Sequence, residues 1–270
     1  MNPNKNELNN QEQFMRAHRN KNRQISYLRF LLLGLFLILW EVSANTGLID
    51  SFFFSSPSRV VLCFIRLWTE QSLITHIGIT LLETLLSFLL VFVFSLITAT
   101  ALWYSERLSK ILEPYLVLLN SLPKSALAPL FIVWLGTGIP TIIVAGISVA
   151  LFGSIISFYT AFSQVDAEKI TLIRTLGGTK RNTFSTVVLP GSVPTLLSTT
   201  KVNIGLALVG VIIGEFLAAR RGLGYLIIYG SQVFQLDMVI TSILLLCIIA
   251  FGFYSGIQYV ERKIQKSTSL

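Results

Sequence analysis

Long apolar segments alternate with shorter polar segments along most of this chain of 270 residues. A helix needs about 20 mostly apolar residues to cross the hydrocarbon core of a bilayer. Backbone polar groups find no water there, so such segments should be helical, and the short alternating segments of a lipid-spanning β-barrel are not present in the sequence. The pattern predicts an all-α integral membrane protein with about six transmembrane helices, at about Tyr27–Ala44, Ile77–Tyr104, Ile111–Leu135, Ile139–Phe162, Thr195–Leu217 and Met238–Val260.

The segments outside the spans divide the chain into three parts. Residues 1–26 form a polar tail, residues 27–260 the transmembrane domain, and residues 261–270 a second short tail. The basic start, the apolar run and Val42-Ser43-Ala44 resemble a cleavable signal peptide. The long polar tail and the full-length span instead favour a first helix that is retained.

A short helix is predicted between the first two spans. Ser58 can cap it, and it ends near Glu70, with Arg59 and Arg66 away from its apolar side. This pattern is typical of an amphipathic helix lying in the outer membrane interface, although a plain connecting loop is the alternative. The apolar side consists of Val60, Val61, Phe64, Leu67 and Trp68.

Composition and charge support a membrane protein and orient it. The chain is 53% hydrophobic and 13% charged, with a mean hydropathy of +0.71, whereas about 25% of a soluble domain is charged. With the N-terminus in the cytosol, sixteen Lys and Arg residues lie inside and four outside, the bias of the positive-inside rule. Both termini and the loop 163–190 are therefore predicted to be cytosolic. The net charge of +8 reflects this topology and not nucleic-acid binding, because no basic stripe is interleaved with stacking aromatic residues.

The third span contains the prolines Pro114, Pro123 and Pro129. Proline breaks helices, and irregular backbone at membrane depth is tolerated only against protein or a water-filled cavity. We therefore expect this span to line an interior path. The candidate pathway-lining residues, which include polar residues of the fifth span, are Asn120, Ser121, Lys124, Ser125, Lys201, Asn203 and Glu215.

Two of these residues carry charges that are costly inside a membrane. Lys124 could attract an anionic substrate, or it could lie near an interface or pair with Glu83 or Glu215. Glu215 comes near the end of the fifth span, where the helix dipole disfavours an acid. A salt link from Glu215 to Arg220 or Arg221 is the structural alternative to a role in the pathway.

The loop 163–190 is longer than a simple connection requires. Asp166 or Ser163 can cap a first short helix, on which Ile170, Ile173 and Leu176 form one apolar stripe and which Gly177-Gly178 ends. Thr179 can cap a second helix from Lys180 to about Val188, stopped by Pro190. Two short, partly basic helices at an angle predict a docking surface for a cytosolic partner.

The sequence contains no recognisable catalytic or metal-binding arrangement. The histidines His18 and His76 are isolated, and Cys63 and Cys247 lie in apolar surroundings without a CxxC partner. No Walker A motif occurs. The chain is therefore predicted not to be an enzyme and to hold no cofactor, so that any ATP and Mg²⁺ would bind to another subunit.

Four segments resemble the permeases of ABC importers, in the nitrate/sulfonate/taurine/bicarbonate branch. Gly177, twelve further residues and Pro190 resemble the coupling (EAA) loop of those proteins. The segments Phe54-Ser55-Ser56-Pro57-Ser58, Leu122-Pro123-Lys124-Ser125-Ala126-Leu127-Ala128-Pro129-Leu130 and Gly222-Leu223-Gly224-Tyr225 resemble the outer helix start, the third-helix signature and the outer turn. The coupling residues implied by this resemblance are Asp166, Glu168, Ile170, Thr171, Ile173, Arg174, Leu176, Gly177, Gly178, Leu189 and Pro190.

The resemblance implies a type I importer permease in the bacterial cytoplasmic membrane. Such a permease works as a pair, here a homodimer, with a dimer of cytosolic ATPases and an extracytoplasmic substrate-binding protein. Alternating access would be driven by ATP on the ATPases. The expected cargo is a small polar anion such as an alkanesulfonate, taurine or nitrate, with a pyrimidine or other vitamin precursor as the alternative.

The chain also departs from the family pattern. The Glu-Ala-Ala positions of the loop are occupied by Thr171, Leu172 and Ile173, so the usual acidic contact to the ATPase is missing unless Glu168 replaces it. A secondary transporter that acts alone, or a membrane scaffold, remains an alternative of another class. Internal repeats would favour the secondary transporter, but none is evident.

Overall fold

The computed structural model describes residues 25, 27–29, 31–70 and 73–268, and every regular element in this part of the chain is a helix. The predicted tail at 1–26 lies outside the described residues except for residue 25. The helices are α1 (Tyr27–Asn45), α2 (Ser51–Phe54), α3 (Pro57–Glu70), α4 (Leu73–Tyr104), α5 (Glu106–Ser121), α6 (Lys124–Leu135), α7 (Ile139–Ser163), α8 (Ala167–Thr175), α9 (Lys180–Thr183), α10 (Leu189–Ala218), α11 (Leu223–Gln232) and α12 (Leu236–Thr268).

The predicted all-α membrane architecture is confirmed. Within the described part of the chain, five helices are long and apolar enough to cross a membrane, and the bent pair α5–α6 can supply a sixth span. α12 continues to Thr268, so most of the predicted tail at 261–270 extends the last helix.

In the unit that ends at Cys63, the end of α1 is tied to the start of α3. Glu41 accepts the Ser58 hydroxyl at 2.6 Å and the Ser58 backbone N–H at 3.0 Å. Ser58 therefore does not cap its own helix as predicted; α3 already starts at Pro57, whose fixed φ suits a first helical turn. Trp40 adds a bond from its indole N–H to the Phe54 carbonyl at 3.2 Å.

The apolar side predicted for α3 is divided in the structure. Val60 and Leu67 are buried, whereas Val61 and Trp68 are more than half exposed. The helix thus has an apolar buried side and a second apolar side that faces outward, as expected for a helix that meets lipid.

The core of the second unit, from Phe64 onward, is the packing of α7 against α4 and α10. A Cβ on Gly210 would lie 2.7 Å from the Gly146 Cα, and a Cβ on Gly214 would lie 2.9 Å from the Ile142 Cα. Small residues four apart let two membrane helices approach closely and gain van der Waals contact. At Gly146 itself, Ser87 of α4 occupies the space that a side chain would need, so α4 also packs closely on α7.

The third span is broken once, at Pro123. α5 and α6 meet there at 95°, and Leu122 before the proline is extended, with ψ of 139°. The ring of a proline disfavours helical backbone in the preceding residue. Pro114 and Pro129, which were also predicted to break the span, lie inside α5 and α6.

The second helix of the loop 163–190 continues directly into the fifth span. Residues Lys180–Ala218 form one helical run of 39 residues, with a π-helical turn at Phe184–Val188. The prediction that Pro190 stops this helix is wrong. In the wider turn the Leu189 N–H bonds to the Phe184 carbonyl, and Pro190 then follows as one of the first residues of α10.

Candidate functional site

We call residues 163–190 the coupling segment. Its first helix, α8, is capped by Asp166, whose Oδ1 accepts the Glu168 N–H at 2.9 Å. Glu168 in the first turn and Arg174 in the last complement the helix dipole. The helix ends at Thr175, Gly177 follows with φ of +83°, and the Gly178 N–H returns to the Ile173 carbonyl at 2.9 Å.

The two sides of α8 differ in exposure. Ile170 and Ile173 are half-buried, and Ile170 packs against a cluster at the ends of α4, α7 and α10. Leu172 is 58% exposed and Leu176 75% exposed. The predicted stripe of Ile170, Ile173 and Leu176 is therefore divided, because the isoleucines hold the helix in place while Leu176 points outward with Leu172.

We call Leu172 and Leu176 the docking face. They are four residues apart and so lie on the same side of the helix. The hydroxyls of Thr171 and Thr175 bond to carbonyls of their own helix, Ala167 and Leu172, both at 2.8 Å. The exposed side of α8 therefore carries the apolar pair Leu172 and Leu176 together with Glu168, which is exposed four residues before Leu172.

The coupling segment is fastened to the ends of two spans by an aromatic cluster around Phe184. The Phe184 ring lies 5.1 Å from Trp103 and 5.5 Å from Tyr104, at the end of α4, and 5.4 Å from Phe162 of α7. Such ring pairs add about 0.5–1.5 kcal/mol each beyond the burial of their surface. Lys180 strengthens this attachment with a bond to the Tyr104 carbonyl at 2.8 Å.

A cleft of about 540 Å³ lies beside the coupling segment. The end of α7 and the start of α10 form its walls, and Asp166, Lys169 and Pro190 are among its lining residues. Leu189, by contrast, packs against the aromatic cluster. The predicted coupling residues thus serve three purposes: outward contact, attachment to the spans, and lining of this cleft.

The bend between α5 and α6, residues 120–125, is the second candidate region. Lys124 donates to the Leu119 carbonyl and, at 3.1 Å, to the Asn120 carbonyl, and its ammonium lies 5.5 Å from the centre of the Phe152 ring. It therefore closes the end of α5, where a cation suits the helix dipole, and it does not pair with Glu83 or Glu215. Ser121 and Ser125 are exposed at the same bend.

The predicted residues of α10 are held by neighbouring helices. Asn203 is buried and donates to the Ser154 hydroxyl of α7 at 2.7 Å. Lys201 forms an ion pair with Glu261 of α12, and both side chains are mostly shielded from solvent. The structure thus brings Asn120, Ser121, Lys124 and Ser125 together, but places Lys201 and Asn203 in helix–helix contacts.

Glu215 lies in the last turn of α10, which ends at Ala218, so its predicted place near the end of the span is confirmed. Its Oε1 accepts from the Thr80 hydroxyl at 2.7 Å, and its Oε2 accepts from the Gly224 N–H at 2.5 Å. These groups replace the predicted link to Arg220 or Arg221, both of which are exposed. No group of three or more potential metal-ligating side chains occurs among the described residues.

Comparison with protein-family models matches residues 91–266 to the binding-protein-dependent transport system inner membrane component. The chain belongs to this family. It is 30% identical over 231 residues to a probable ABC transporter permease protein of Haemophilus influenzae, covering 85% of this chain and 93% of that protein. It is 27% identical to the putative aliphatic sulfonates transport permease protein SsuC of Bacillus subtilis, covering 90% and 89%. It is 29% identical to the formylaminopyrimidine transport permease protein ThiX of Halalkalibacterium halodurans, covering 73% and 77%.

Solved structures support the same fold for this permease. A bacterial ABC transporter involved in the import of the acidic polysaccharide alginate has a chain that aligns with a TM-score of 0.65 and 16% identity, covering 90% of this chain and 98% of that one. An inward-facing MetNI methionine ABC transporter aligns with a TM-score of 0.62 and 20% identity, covering 71% and 95%. The protein is an ABC importer permease of the type I fold and a multi-pass protein of the inner membrane.

Sequence reasoning missed three contributors to the coupling region of this permease. Leu172 was noted only as a departure from the family pattern, Phe184 was not singled out, and Lys180 was counted as a topology signal. Trp103-Tyr104 at the end of an apolar span was the available clue, because aromatic residues gather where spans meet the interface.

Proposed function

We propose that this permease forms the transmembrane pathway of a binding-protein-dependent importer and is driven by a separate ATPase. The observation that carries this proposal is the docking face, Leu172 and Leu176, exposed on a helix whose other side is packed against the spans. An apolar residue pair that is exposed on a well-anchored polar loop fits an apolar groove on a protein partner.

Transmission from the ATPase would follow the continuous helix Lys180–Ala218. Lys180 and Phe184 are fixed to the ends of α4 and α7, and the same helix continues to Ala218 at the opposite end of the spans. Because this helical run contains no loop, a displacement of the coupling segment would move α10 as a lever. Alternating access would then follow closure of the ATPases around ATP and Mg²⁺.

The proposed orientation places both termini and the coupling segment in the cytosol of a bacterium. Its support is the positive-inside bias of the sequence. The turn between α10 and α11, near Gly222, then faces the outside, where the binding protein delivers substrate. Two copies of this chain, as a homodimer, would supply the two halves of the pathway.

The proposed cargo is a small organic or inorganic anion of the sulfonate, taurine or nitrate type. SsuC supports a sulfonate, while ThiX favours a pyrimidine precursor as the second candidate. The bend at residues 120–125 offers exposed Asn120, Ser121 and Ser125, which can hydrogen-bond either kind of molecule. Lys124 does not favour the anion over the pyrimidine precursor, because its ammonium group is bonded to helix carbonyls.

Reconstitution tests the class and the cargo together. The permease, its ATPase and its binding protein are placed in proteoliposomes, and uptake of labelled alkanesulfonate, taurine, nitrate and formylaminopyrimidine is measured with and without ATP. Uptake of one compound that needs both ATP and the binding protein supports the proposal and identifies the cargo. Uptake by the permease alone would overturn it in favour of a secondary transporter.

A further inference from the structure

The start of α11 is capped by side chains from other helices. His76 Nδ1 lies 3.0 Å from the Gly222 nitrogen and 3.1 Å from the Gly222 carbonyl oxygen, the Leu223 N–H donates to the Thr80 hydroxyl oxygen at 2.9 Å, and the Gly224 N–H donates to Glu215 at 2.5 Å. The first N–H groups of a helix have no partner within it and usually bond to the residue just before it. Here that residue is Gly222, which has no side chain, and α4 and α10 provide the acceptors instead.

The cap leaves no room for a side chain at Gly222 or Gly224. A Cβ on Gly222, where φ is +122°, would lie 2.4–2.5 Å from the Glu215 carboxyl atoms, and a Cβ on Gly224 would lie 2.8 Å from Glu215 Oε2. The His76 ring also stacks on Tyr225 of α11, with 6.1 Å between ring centres. Three helices are therefore joined at one point, which we call the outer latch: His76, Thr80 and Glu215 with the backbone of residues 222–224.

Hydrogen-bond accounting assigns a direction to the bonds that join Thr80, Glu215 and the start of α11. Thr80 accepts from Leu223, so its own hydrogen is free to be donated to Glu215 Oε1. Both Glu215 oxygens are therefore acceptors. Glu83 is buried three residues after Thr80 on α4, and its Oε2 has no hydrogen-bond partner among the described residues, so this acid is not one of the acceptors of the α11 cap.

We infer that Glu215 and Thr80 are positioning residues that hold α11 closed over the outer end of α4 and α10, and that opening the outward-facing state breaks this latch. The inference rests on the proposed function and its orientation. Several hydrogen bonds join α11 to these two helices. The helix should therefore occupy either a closed or an open position rather than a continuous range of positions. Arrival of the binding protein and closure of the ATPases would together supply the opening force.

Paired variants separate the hydrogen bonds from simple packing. Thr80→Val keeps the shape of the side chain and removes the hydroxyl, whereas Thr80→Ser keeps the hydroxyl. Glu215→Met keeps a side chain of similar length but offers no acceptor oxygen to Thr80 or to the Gly224 N–H. Glu83→Gln changes the neighbouring buried acid, which accepts none of the α11 N–H groups. We therefore expect Thr80→Val and Glu215→Met to release α11, and Thr80→Ser and Glu83→Gln to keep it closed.

Spin labels report the position of α11 directly. Labels are attached at Ile74 of α4 and Ser231 of α11, both exposed, in a cysteine-free background of the complete permease–ATPase assembly without nucleotide. The wild type, Thr80→Ser and Glu83→Gln should give one narrow distance distribution. Thr80→Val and Glu215→Met should give a broad distribution shifted to longer distances, with basal ATP hydrolysis in the absence of binding protein raised about tenfold, the effect expected when a buried hydrogen-bonding group loses its partner.

The two measurements distinguish failure of the latch from failure of the proposed function. If Thr80→Val and Glu215→Met keep both the narrow distribution and the wild-type basal hydrolysis, the latch is overturned while the importer stands. Equal disturbance by Thr80→Ser and Thr80→Val would also overturn it, because packing and not the hydroxyl would then be responsible. If the wild-type assembly shows no ATP-dependent uptake, the proposed function fails on its own.

Discussion

At the scale of single residues, Gly177 is the joint between α8 and the helix that continues into α10. Its φ of +83° lies in the left-handed region, and a Cβ there would meet no atom within 4 Å. A substitution would therefore act through backbone strain alone, at about 1–2 kcal/mol for an ordinary residue. Gly177→Val should insert normally but lose the coupling between ATP hydrolysis and uptake, because the valine favours a different turn and redirects α8.

The matched control at this position is Gly177→Asn, since asparagine tolerates the left-handed conformation. It should retain most of the coupled uptake, measured as substrate transported per ATP hydrolysed. If Gly177→Val transports with the wild-type ratio, Gly177 is not a joint. Gly178 differs, because a Cβ there would lie 2.5 Å from an Ile173 side-chain atom and 2.7 Å from the Ile173 carbonyl oxygen.

The docking face gives a second residue-scale prediction. Leu172→Ala removes a side chain that is 58% exposed, so the permease itself should remain nearly as stable as the wild type. Binding of the ATPase should weaken by about tenfold to one-hundredfold, the range for a central apolar contact in an interface. Co-purification and titration of the ATPase onto the reconstituted permease measure this effect.

Leu108→Ala is the control for Leu172→Ala. Leu108 is 36% exposed and lies in the first turn of α5, close in sequence to the end of α4. The Leu108→Ala permease should bind the ATPase as tightly as the wild type does. If both variants weaken ATPase binding by the same factor, or if neither variant weakens it, the assignment of Leu172 to the docking face is contradicted.

At the scale of whole elements, the α7–α10 contact depends on backbone approach. Gly210 and Gly205 lie on the same helix, but only a Cβ on Gly210 would clash, at 2.7 Å from backbone of α7. Gly210→Ala must push the helices apart and should cost about 1–3 kcal/mol, as overpacking does in well-packed interiors. Gly205→Ala meets no atom within 4 Å and should be neutral.

The measurement is the thermal unfolding temperature of each purified variant in detergent, monitored by its resistance to protease. Gly210→Ala should unfold at a clearly lower temperature than Gly205→Ala. Identical melting of the two variants would mean that α7 and α10 do not approach as closely as the structure has them.

The elements also separate what the sequence could predict from what it could not. The six spans and the cap at Asp166 follow from local patterns, and the bend at Pro123 follows from proline chemistry. The continuity of α9 with α10 could not be predicted, because Pro190 ends a regular α-helix but is accommodated after a π-helical turn. The partners of Glu215 were equally inaccessible, since Thr80 lies 135 residues away in the chain.

At the scale of the whole molecule, the proposed orientation makes a prediction about the two ends of the bundle. The coupling segment should be cytosolic and α11 should face outside, because sixteen basic residues fall on the first side and four on the other. Single cysteines at Thr175 and at Ser231, both exposed, are introduced into a variant without Cys63 and Cys247. In intact cells a membrane-impermeant thiol reagent should label Ser231→Cys and leave Thr175→Cys unlabelled.

Inside-out vesicles provide the control, because there the labelling should be reversed. Labelling of Thr175→Cys in intact cells would show that the bundle has the opposite orientation. The docking face could not then meet a cytosolic ATPase. Labelling of both positions from the same side would contradict an odd number of crossings between α8 and α11, which the single continuous helix Lys180–Ala218 requires. The orientation of this one helix therefore decides which end of the permease meets ATP and which end meets the delivered solute.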